Sequence, residues 1–236
     1  MPGAVFHLIT DRQRSAGDLM AALGAAVEAG VRWIQIREKT APAEALYAFG
    51  RALQEDPRTR AAALIVNDRA DVAMALGAAG VHLARKSLPV AAVRRFLPAG
   101  MLLGASVHSL GEALEAAEAG ADYVTFGPVF PTRSHPGRQG QGLEALAAVV
   151  EAVRRPVLAI GGITPANAEA VLATGAAGVA AIGAVLEAPD PAAAARRLLE
   201  ALERARSRPR FLLPAAPADP AGSAADARRA AIPRGR

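Results

Sequence analysis

The chain has 236 residues, of which 52% are hydrophobic and only 4% aromatic, and it contains no cysteine. This length suits one domain of barrel size or two small domains, and the lack of cysteine excludes disulfides, thiolate metal sites and cysteine nucleophiles. No apolar run approaches the roughly 20 residues of a membrane span. No secretory signal precedes the first predicted strand, so we expect a cytoplasmic protein without a membrane partner.

The formal net charge of +5 is concentrated at the end of the chain. Residues 207–236 contain six arginines against Asp219 and Asp226, so this segment carries +4 and the rest of the chain is near neutral. The segment is rich in Pro and Ala and lacks hydrophobic periodicity, which predicts a disordered tail after a single domain of residues 1–206. With the charge confined to such a tail, we expect no specific nucleic-acid partner.

Short apolar segments alternate with helical patterns through the predicted domain. The predicted strands are 5–10, 31–37, 63–67, 80–83, 102–106, 122–126, 156–160 and 178–182. The predicted helices are 18–29, 43–55, 70–76, 90–96, 110–119, 143–153, 165–173 and 191–206. Eight βα units predict an α/β fold, a closed (β/α)₈ TIM barrel. A doubly wound open sheet is the alternative, but residues 10–13 lack the G-x-G-x-x-G turn expected after its first strand.

Polar residues follow most of the predicted strands. Active sites of such barrels lie at the carboxyl ends of the strands, so we expect these residues to converge on one mouth. They are Thr10, Asp11, Gln35, Arg37, Lys39, Asn67, Asp68, Arg69, Arg85, Lys86, Ser87, Ser106, His108, Thr132, Arg133, Ser134, His135 and Arg138. Cations and hydroxyls in this number predict a phosphorylated, doubly anionic substrate. The carboxylates Glu38, Asp68 and Asp71 could bind Mg²⁺ or pair with the arginines.

The segment 156–164, PVLAIGGIT, joins an apolar strand to a tight turn at Gly161 and Gly162, and a predicted helix follows from Pro165. Paired glycines allow backbone N–H groups to approach a ligand, and a helix N-terminus favours an anion. Together with Gly183 after strand eight, the turn predicts a phosphate site, because phosphate sites recur after strands seven and eight of barrels. The alternative is that the two glycines only form a turn.

Two histidines and the single tryptophan lie inside the predicted strands. We expect His7 and His82 to be interior residues of the barrel rather than ligands, because both lie within apolar strands. We expect Trp33 to pack against the flanking helices.

Seven short segments, in order along the chain, resemble the thiamine phosphate synthase/TenI superfamily. They are LITD at 8–11, IQIREK at 34–39, IVNDR at 65–69, GVHL at 80–83, GASVH at 104–108, DYVTFGPVFPT at 122–132 and AIGGIT at 159–164. The resemblance runs from residue 5 to about residue 203 and leaves the predicted tail outside.

The resemblance implies an enzyme, a transferase that joins hydroxymethylpyrimidine pyrophosphate to thiazole phosphate and releases thiamine phosphate and pyrophosphate. It implies that pyrimidine and pyrophosphate are bound by Gln35, Arg37, Lys39 and Asn67, with further substrate contacts from Ser106 and Thr132. It implies a thiazole phosphate site at Gly161, Gly162 and Gly183, and an Mg²⁺ ligand at Asp68. We count Arg37, Lys39, Ser106 and His135 as candidate catalytic residues, and Arg85 and Ser134 as further candidate substrate contacts.

Three positions depart from the family patterns. Ser87 stands where the synthases have a second magnesium carboxylate, which predicts a weakly held Mg²⁺ with Asp68 as its single conventional carboxylate. His135 stands where the synthases have a lysine in the loop after strand six. Pro128 stands where the thiazole tautomerases of the superfamily have a catalytic histidine.

Three hypotheses follow. The chain is a divergent synthase, in which Arg85 and Lys86 partly replace the charge of the metal. Alternatively, it is a TenI-like thiazole tautomerase, an isomerase in which His135 or His108 transfers the proton. The third hypothesis is a noncatalytic binder of thiazole or thiamine phosphate. All three are compatible with a homo-oligomer.

Overall fold

In a computed structural model of the protein, which describes residues 3–134, 137, 139–205, 207–214 and 216, eight parallel strands form a closed barrel in the order β1 to β8. The strands are β1 (Val5–Ile9), β2 (Trp33–Ile36), β3 (Ala63–Asn67), β4 (Gly80–Leu83), β5 (Leu102–Val107), β6 (Tyr123–Phe126), β7 (Val157–Ile160) and β8 (Gly178–Ala181). The predicted (β/α)₈ barrel is confirmed. Because all strands are parallel, their carboxyl ends open onto one mouth.

The barrel closes where β8 pairs with β1, with Val5 opposite Gly178. A Cβ atom on Gly178 would lie 2.6 Å from the backbone nitrogen of Val5. Only glycine therefore lets the last strand approach the first closely enough for the ladder to close.

Helices follow the strands and pack around the outside of the barrel. They are α1 (Leu19–Glu28), α2 (Ala43–Glu55), α3 (Ala70–Leu76), α4 (Val90–Arg94), α5 (Leu110–Glu118), α6 (Gly142–Ala152), α7 (Ala168–Ala173), α8 (Gly183–Leu186) and α9 (Pro191–Arg204), with a 3₁₀ turn at Arg12–Arg14. Asp18, Ser109 and Asp190 begin α1, α5 and α9, and each side chain accepts a backbone hydrogen bond three residues ahead. None of the described helices is long and apolar enough to cross a membrane.

The apolar side chains form an outer and an inner cluster. The outer cluster fills the layer between strands and helices. The inner cluster lies inside the barrel and contains Trp33, Ile65, Tyr123 and Leu158. The prediction for Trp33 is therefore wrong, because this side chain points into the barrel and not toward the helices. Both faces of β2 are buried. The alternation of residue types along β2 therefore does not show which side chains face the barrel interior and which face the helices.

Part of the predicted tail contacts the barrel. The Arg210 N–H donates to the Gly175 carbonyl at 2.9 Å, next to the start of β8. Leu213 is only 2% exposed and belongs to the inner cluster with Trp33 and Tyr123. Residues 207–214 therefore cover the amino-terminal end of the barrel, opposite the mouth. The prediction of a disordered tail stays a prediction for 217–236, which lie outside the described residues.

This placement predicts that Leu213 stabilises the barrel. Leu213→Ala should lower the free energy of unfolding by about 2–5 kcal/mol, as for other buried leucines, because it opens a cavity in the inner cluster. Leu212, which is 49% exposed, is the matched control. Leu212→Ala should change the free energy of unfolding by less than about 0.5 kcal/mol. Urea unfolding measures both values. Equal effects of the two substitutions would show that Leu213 does not occupy the barrel.

Candidate active site

The ends of β2 and β3 are joined by side-chain hydrogen bonds. Gln35, which is 2% exposed, donates from Nε2 to Asn67 Oδ1 at 2.9 Å. Asn67 in turn donates from Nδ2 to Asp68 Oδ2 at 2.7 Å. The Gln35 Oε1 atom is buried and has no partner among the residues that the structure describes. A ligand N–H would satisfy this acceptor, so the row Gln35–Asn67–Asp68 suits a ligand that carries donors.

Asp68 is held in an unusual backbone conformation. Its φ of 62° is left-handed, and it is the only non-glycine residue with positive φ in the described part of the chain. Its N–H donates to the His82 carbonyl at 2.9 Å. Its Oδ1 accepts hydrogen bonds from the Ala84 N–H at 2.8 Å and from the Ser87 hydroxyl. Ser87, which departs from the family pattern, therefore donates a hydrogen bond to Asp68, and metal binding by Asp68 stays a prediction.

The cations of the mouth differ in how they are held. The Arg37 backbone N–H donates to Thr10 Oγ1 at 2.9 Å, and its guanidinium lies 3.9 Å from Asp11. Three further cations, Lys39, Arg85 and Lys86, are exposed and form no ion pair with another described residue. Four positive groups at the carboxyl ends of the strands are the kind of lining that favours anions, and binding of an anionic substrate here stays a prediction.

Ser106 lies near the carboxyl end of β5 and is half-buried. Its Oγ is 2.8 Å from His82 Nε2, and His82 Nδ1 is 3.1 Å from the Tyr123 hydroxyl. Burial lowers the pKa of His82 to about 4, against an opposing effect of Asp68. His82 is therefore neutral at physiological pH, and as expected it is an interior residue of the barrel.

The loop after β6 meets a residue that sequence reasoning missed. The guanidinium of Arg14 donates to the Ser134 hydroxyl and, from Nε, to Glu187 Oε1 at 2.6 Å. The Ser134 N–H lies 3.3 Å from Thr132 Oγ1 and donates to it. Arg14 thus links the loops after β1 and β6 to α8. His135 lies outside the described residues, so its role stays a prediction.

The glycine turn after β7 has a packing function. Gly161 and Gly162 have φ of 96° and 66°, and a Cβ on either would lie 2.6 Å from the Cβ of Pro128 or Phe130. The Phe130 N–H donates to the Gly161 carbonyl at 3.1 Å. Both glycines are therefore required by the approach of the β6 loop, independently of any ligand. Phosphate binding at this turn stays a prediction.

The helix that follows begins later than predicted. α7 starts at Ala168, not at residue 165, because the Asn167 side chain shapes the turn before it. Asn167 Oδ1 accepts from the Thr164 N–H at 2.8 Å, and its Nδ2 donates to the Gly162 carbonyl at 2.9 Å. An asparagine three residues after Thr164 is the signal that could have located this turn.

Gly183 lies beside the Arg14 cluster. A Cβ on Gly183 would lie 2.6 Å from Arg14 Nη2 and 2.8 Å from the Glu187 carboxylate. The missing side chain allows the guanidinium to lie over the turn between β8 and α8. Arg14 does not directly follow a strand, because β1 ends at Ile9 and Arg14 lies further along the loop. A search limited to the residues at strand ends therefore overlooked it.

Together, the mouth residues define a class of protein. The structure is a (β/α)₈ barrel with arginine, lysine and hydroxyl side chains at the carboxyl ends of its strands, as in enzymes that bind phosphorylated small molecules. Residues 6–185 match the family model described as thiamine monophosphate synthase. The chain belongs to this family.

Relatives and solved structures agree with this assignment. The chain is 45% identical over 198 residues to a putative thiamine-phosphate synthase of Geobacter sulfurreducens, covering 83% of this chain and 93% of the relative. It is 42% identical over 206 residues to the thiamine-phosphate synthase of Moorella thermoacetica, covering 86% and 98%. A solved structure of thiamine phosphate pyrophosphorylase from Pyrococcus furiosus is 40% identical, with a TM-score of 0.78, and 86% of this chain and 98% of that chain are covered.

Below the mouth, the burial of His7 makes the stability of the fold depend on pH. The ring is fully buried, 5.2 Å from the ring of Trp33, and its two nitrogens have no partner among the described residues. Burial, and to a smaller extent His82, lowers the pKa of His7 to about 3. Unfolding returns the ring to a pKa of about 6.5, so the unfolded chain binds the proton first as pH falls.

We therefore expect the free energy of unfolding to decrease as pH falls from about 6.5 toward 3. His7→Phe removes the group that titrates. The free energy of unfolding should therefore decrease less between pH 7.5 and pH 5 in this variant than in the wild type. Urea unfolding at the two pH values measures the difference. The same loss in both proteins would contradict a neutral, buried His7.

Proposed function

We propose that the protein is a thiamine-phosphate synthase, a transferase that joins hydroxymethylpyrimidine pyrophosphate to thiazole phosphate and releases pyrophosphate. The observation that carries the proposal is the hydrogen-bonded row Gln35–Asn67–Asp68 beside Arg37, in a chain of this family. The sequence comparison supports it, since relatives 42–45% identical over more than four fifths of the chain carry this name.

The reaction suits a site that binds charge rather than one that supplies a nucleophile. Pyrophosphate leaves an activated carbon of the pyrimidine substrate, and the thiazole takes its place. Arg37, Lys39 and Arg85 at the mouth stabilise the negative charge that develops on the leaving group, while fixed binding of both substrates supplies proximity. Gln35 binds the pyrimidine through its unpaired Oε1 acceptor.

At the other side of the mouth, the thiazole phosphate binds beside β7 and β8. Gly161, Gly162 and Gly183 present backbone without side chains there. Thr132 and Ser134 add hydroxyls. Arg14 extends this proposal, because its guanidinium lies beside Gly183, where the ion pair with Glu187 and the contact with Ser134 hold it in place. A guanidinium matches the geometry of phosphate oxygens.

The site fits Mg²⁺ only together with the substrate. Asp68 supplies one carboxylate and Ser87 a hydroxyl, and no group of three metal-binding side chains occurs among the described residues. Mg²⁺ commonly binds through one or two carboxylates plus substrate phosphate oxygens. Asp68 and Ser87 would hold the ion with the pyrophosphate group, and the ion would supply positive charge to the leaving group.

The isomerase alternative receives less support from the geometry. Pro128, at the position of the catalytic histidine of the tautomerases, is buried against Gly161. The Nδ1–H of His108 donates to the Gly127 carbonyl at 2.6 Å, which leaves Nε2 as the ring nitrogen that this alternative would need for proton transfer.

The purified protein should form thiamine phosphate from both substrates, detected by its mass, and Mg²⁺ should increase the rate. Ser87→Asp places a second carboxylate beside Asp68 and should lower the Mg²⁺ concentration required for half-maximal rate. Ser109→Asp, at the N-terminal cap of α5, is the control and should leave this Mg²⁺ concentration unchanged. The absence of product with both substrates and Mg²⁺ would overturn the proposed function.

Arg14→Met should raise KM for the thiazole phosphate roughly ten- to hundredfold, the effect of losing one charged hydrogen bond, and leave KM for the pyrimidine substrate unchanged. Arg12→Met is the matched control, because the Arg12 guanidinium lies over the ring of Phe49, 5.7 Å away, and should change neither KM. Steady-state kinetics with each substrate varied in turn measures both constants. Equal increases in the two KM values for Arg14→Met would count against a local phosphate contact.

A further inference from the structure

A row of polar side chains runs through the interior of the barrel toward the mouth. His82 on β4, Gly104 on β5 and Tyr123 on β6 are adjacent positions of the sheet register. The Tyr123 hydroxyl is 3.1 Å from His82 Nδ1, and His82 Nε2 is 2.8 Å from Ser106 Oγ. Tyr123 is thus connected to a half-buried hydroxyl at the mouth through one imidazole ring.

Gly104 provides the space for this contact. A Cβ atom at this position would lie 2.5 Å from both His82 Nδ1 and the Tyr123 hydroxyl oxygen. Any other residue would therefore displace one of the two side chains. β5 lies between His82 on β4 and Tyr123 on β6, and Gly104 has no side chain there. The hydrogen bond between His82 and Tyr123 passes over β5 at this glycine and depends on it.

The direction of the hydrogen bonds follows from burial. Tyr123 and His82 are buried, and no carboxylate of the described residues bonds to the His82 ring, so the ring is neutral and carries one N–H. If Nδ1 carried the hydrogen, the Tyr123 O–H would have no acceptor among the described residues, because His82 is its one recorded partner. A buried donor without an acceptor costs about 1–3 kcal/mol. Tyr123 therefore donates to Nδ1, and the hydrogen is on Nε2.

Ser106 then accepts rather than donates within the protein. The Nε2–H of His82 donates to Ser106 Oγ at 2.8 Å rather than to the more distant Thr125 Oγ1 at 3.3 Å. The Thr125 hydroxyl, 3.4 Å from Ser106 Oγ, donates to Ser106 as well. A serine oxygen has two acceptor sites, so both are engaged. The hydroxyl hydrogen of Ser106 remains available for a ligand in the mouth.

We propose that Tyr123 and His82 are positioning residues that present Ser106 as a hydrogen-bond donor to an acceptor atom of the pyrimidine diphosphate substrate. This inference rests on the proposed function, in which Ser106 contacts that substrate. The hydrogen-bond direction is a property of the protein alone, so it is tested separately from the activity.

The first experiment determines the tautomer. In ¹⁵N NMR spectra of the imidazole groups, His82 should carry its hydrogen on Nε2 in the wild type. Tyr123→Phe keeps the ring and removes the O–H, so Nδ1 loses its donor. The hydrogen should then stay on Nε2, where Ser106 accepts it, while the ¹⁵N chemical shift of Nδ1 moves toward that of an imidazole nitrogen without a hydrogen-bond donor. An Nδ1–H tautomer in the wild type would overturn the proposal, whether or not the protein forms thiamine phosphate and whether or not the variant folds.

The second experiment tests the link to Ser106 by a double-mutant cycle. Tyr123→Phe should lower kcat about fivefold, the value of one neutral hydrogen bond, with an unchanged KM for the thiazole phosphate. In a Ser106→Ala background the same change should have no further effect. Tyr47→Phe, at the other tyrosine of the chain, is an exposed control and should not alter kcat.

A purely structural role of Tyr123 gives a different result. In that case the effects of Tyr123→Phe and Ser106→Ala would add, because the two substitutions would act independently. Additive effects, or a kcat of Tyr123→Phe equal to that of the wild type, would overturn the positioning role. A wild type that forms no thiamine phosphate would instead overturn the proposed function and leave the NMR result to decide the hydrogen-bond direction.

Discussion

The close contact between β1 and β8 is the constraint on which the site depends. At Gly178 the backbone of Val5 leaves no room for a side chain, and this contact allows eight strands to close into a barrel. Closure brings the loops after β1 and β8 together, and Arg14 and Glu187 are an ion pair only because of it. Residues 173 positions apart in sequence thus form one side of the candidate phosphate site.

Along its axis, the barrel interior changes from apolar to polar. Leu213, Trp33 and Leu158 lie in the inner apolar cluster, which the segment after α9 covers from the amino-terminal end. The ring of Tyr123 packs in this cluster, and its hydroxyl contacts His82. An aromatic ring with one polar atom suits such a boundary, since the ring packs and the hydroxyl finds a partner. The apolar layer thereby supports the polar residues above it.

The strand–helix alternation and the mouth residues could be predicted from sequence, because each rests on local patterns. The bounds of β3, α2 and α3 agree with the prediction. The start of α7 could not be read from Thr164 and Pro165, because the Asn167 side chain holds a turn where the helix was expected. The orientation of Trp33 and the partner of Ser134 depend on register and closure, which no short segment encodes.

Ser87 and Pro128, two of the departures from the family pattern, lie in loops, whereas the interior hydrogen bonds join residues of the strands. Ser87 follows β4, and its hydroxyl donates to Asp68 at the position where the family resemblance leads one to expect a second carboxylate. A loop residue can change charge at small cost, because neighbouring side chains and water satisfy it. The contact between His82 and Tyr123 is more constrained, since a Cβ atom on Gly104 would overlap both side chains. The strands thus carry the hydrogen bonds of His82 to Tyr123 and Ser106, whereas the loop after β4 carries the residue that departs from the family pattern.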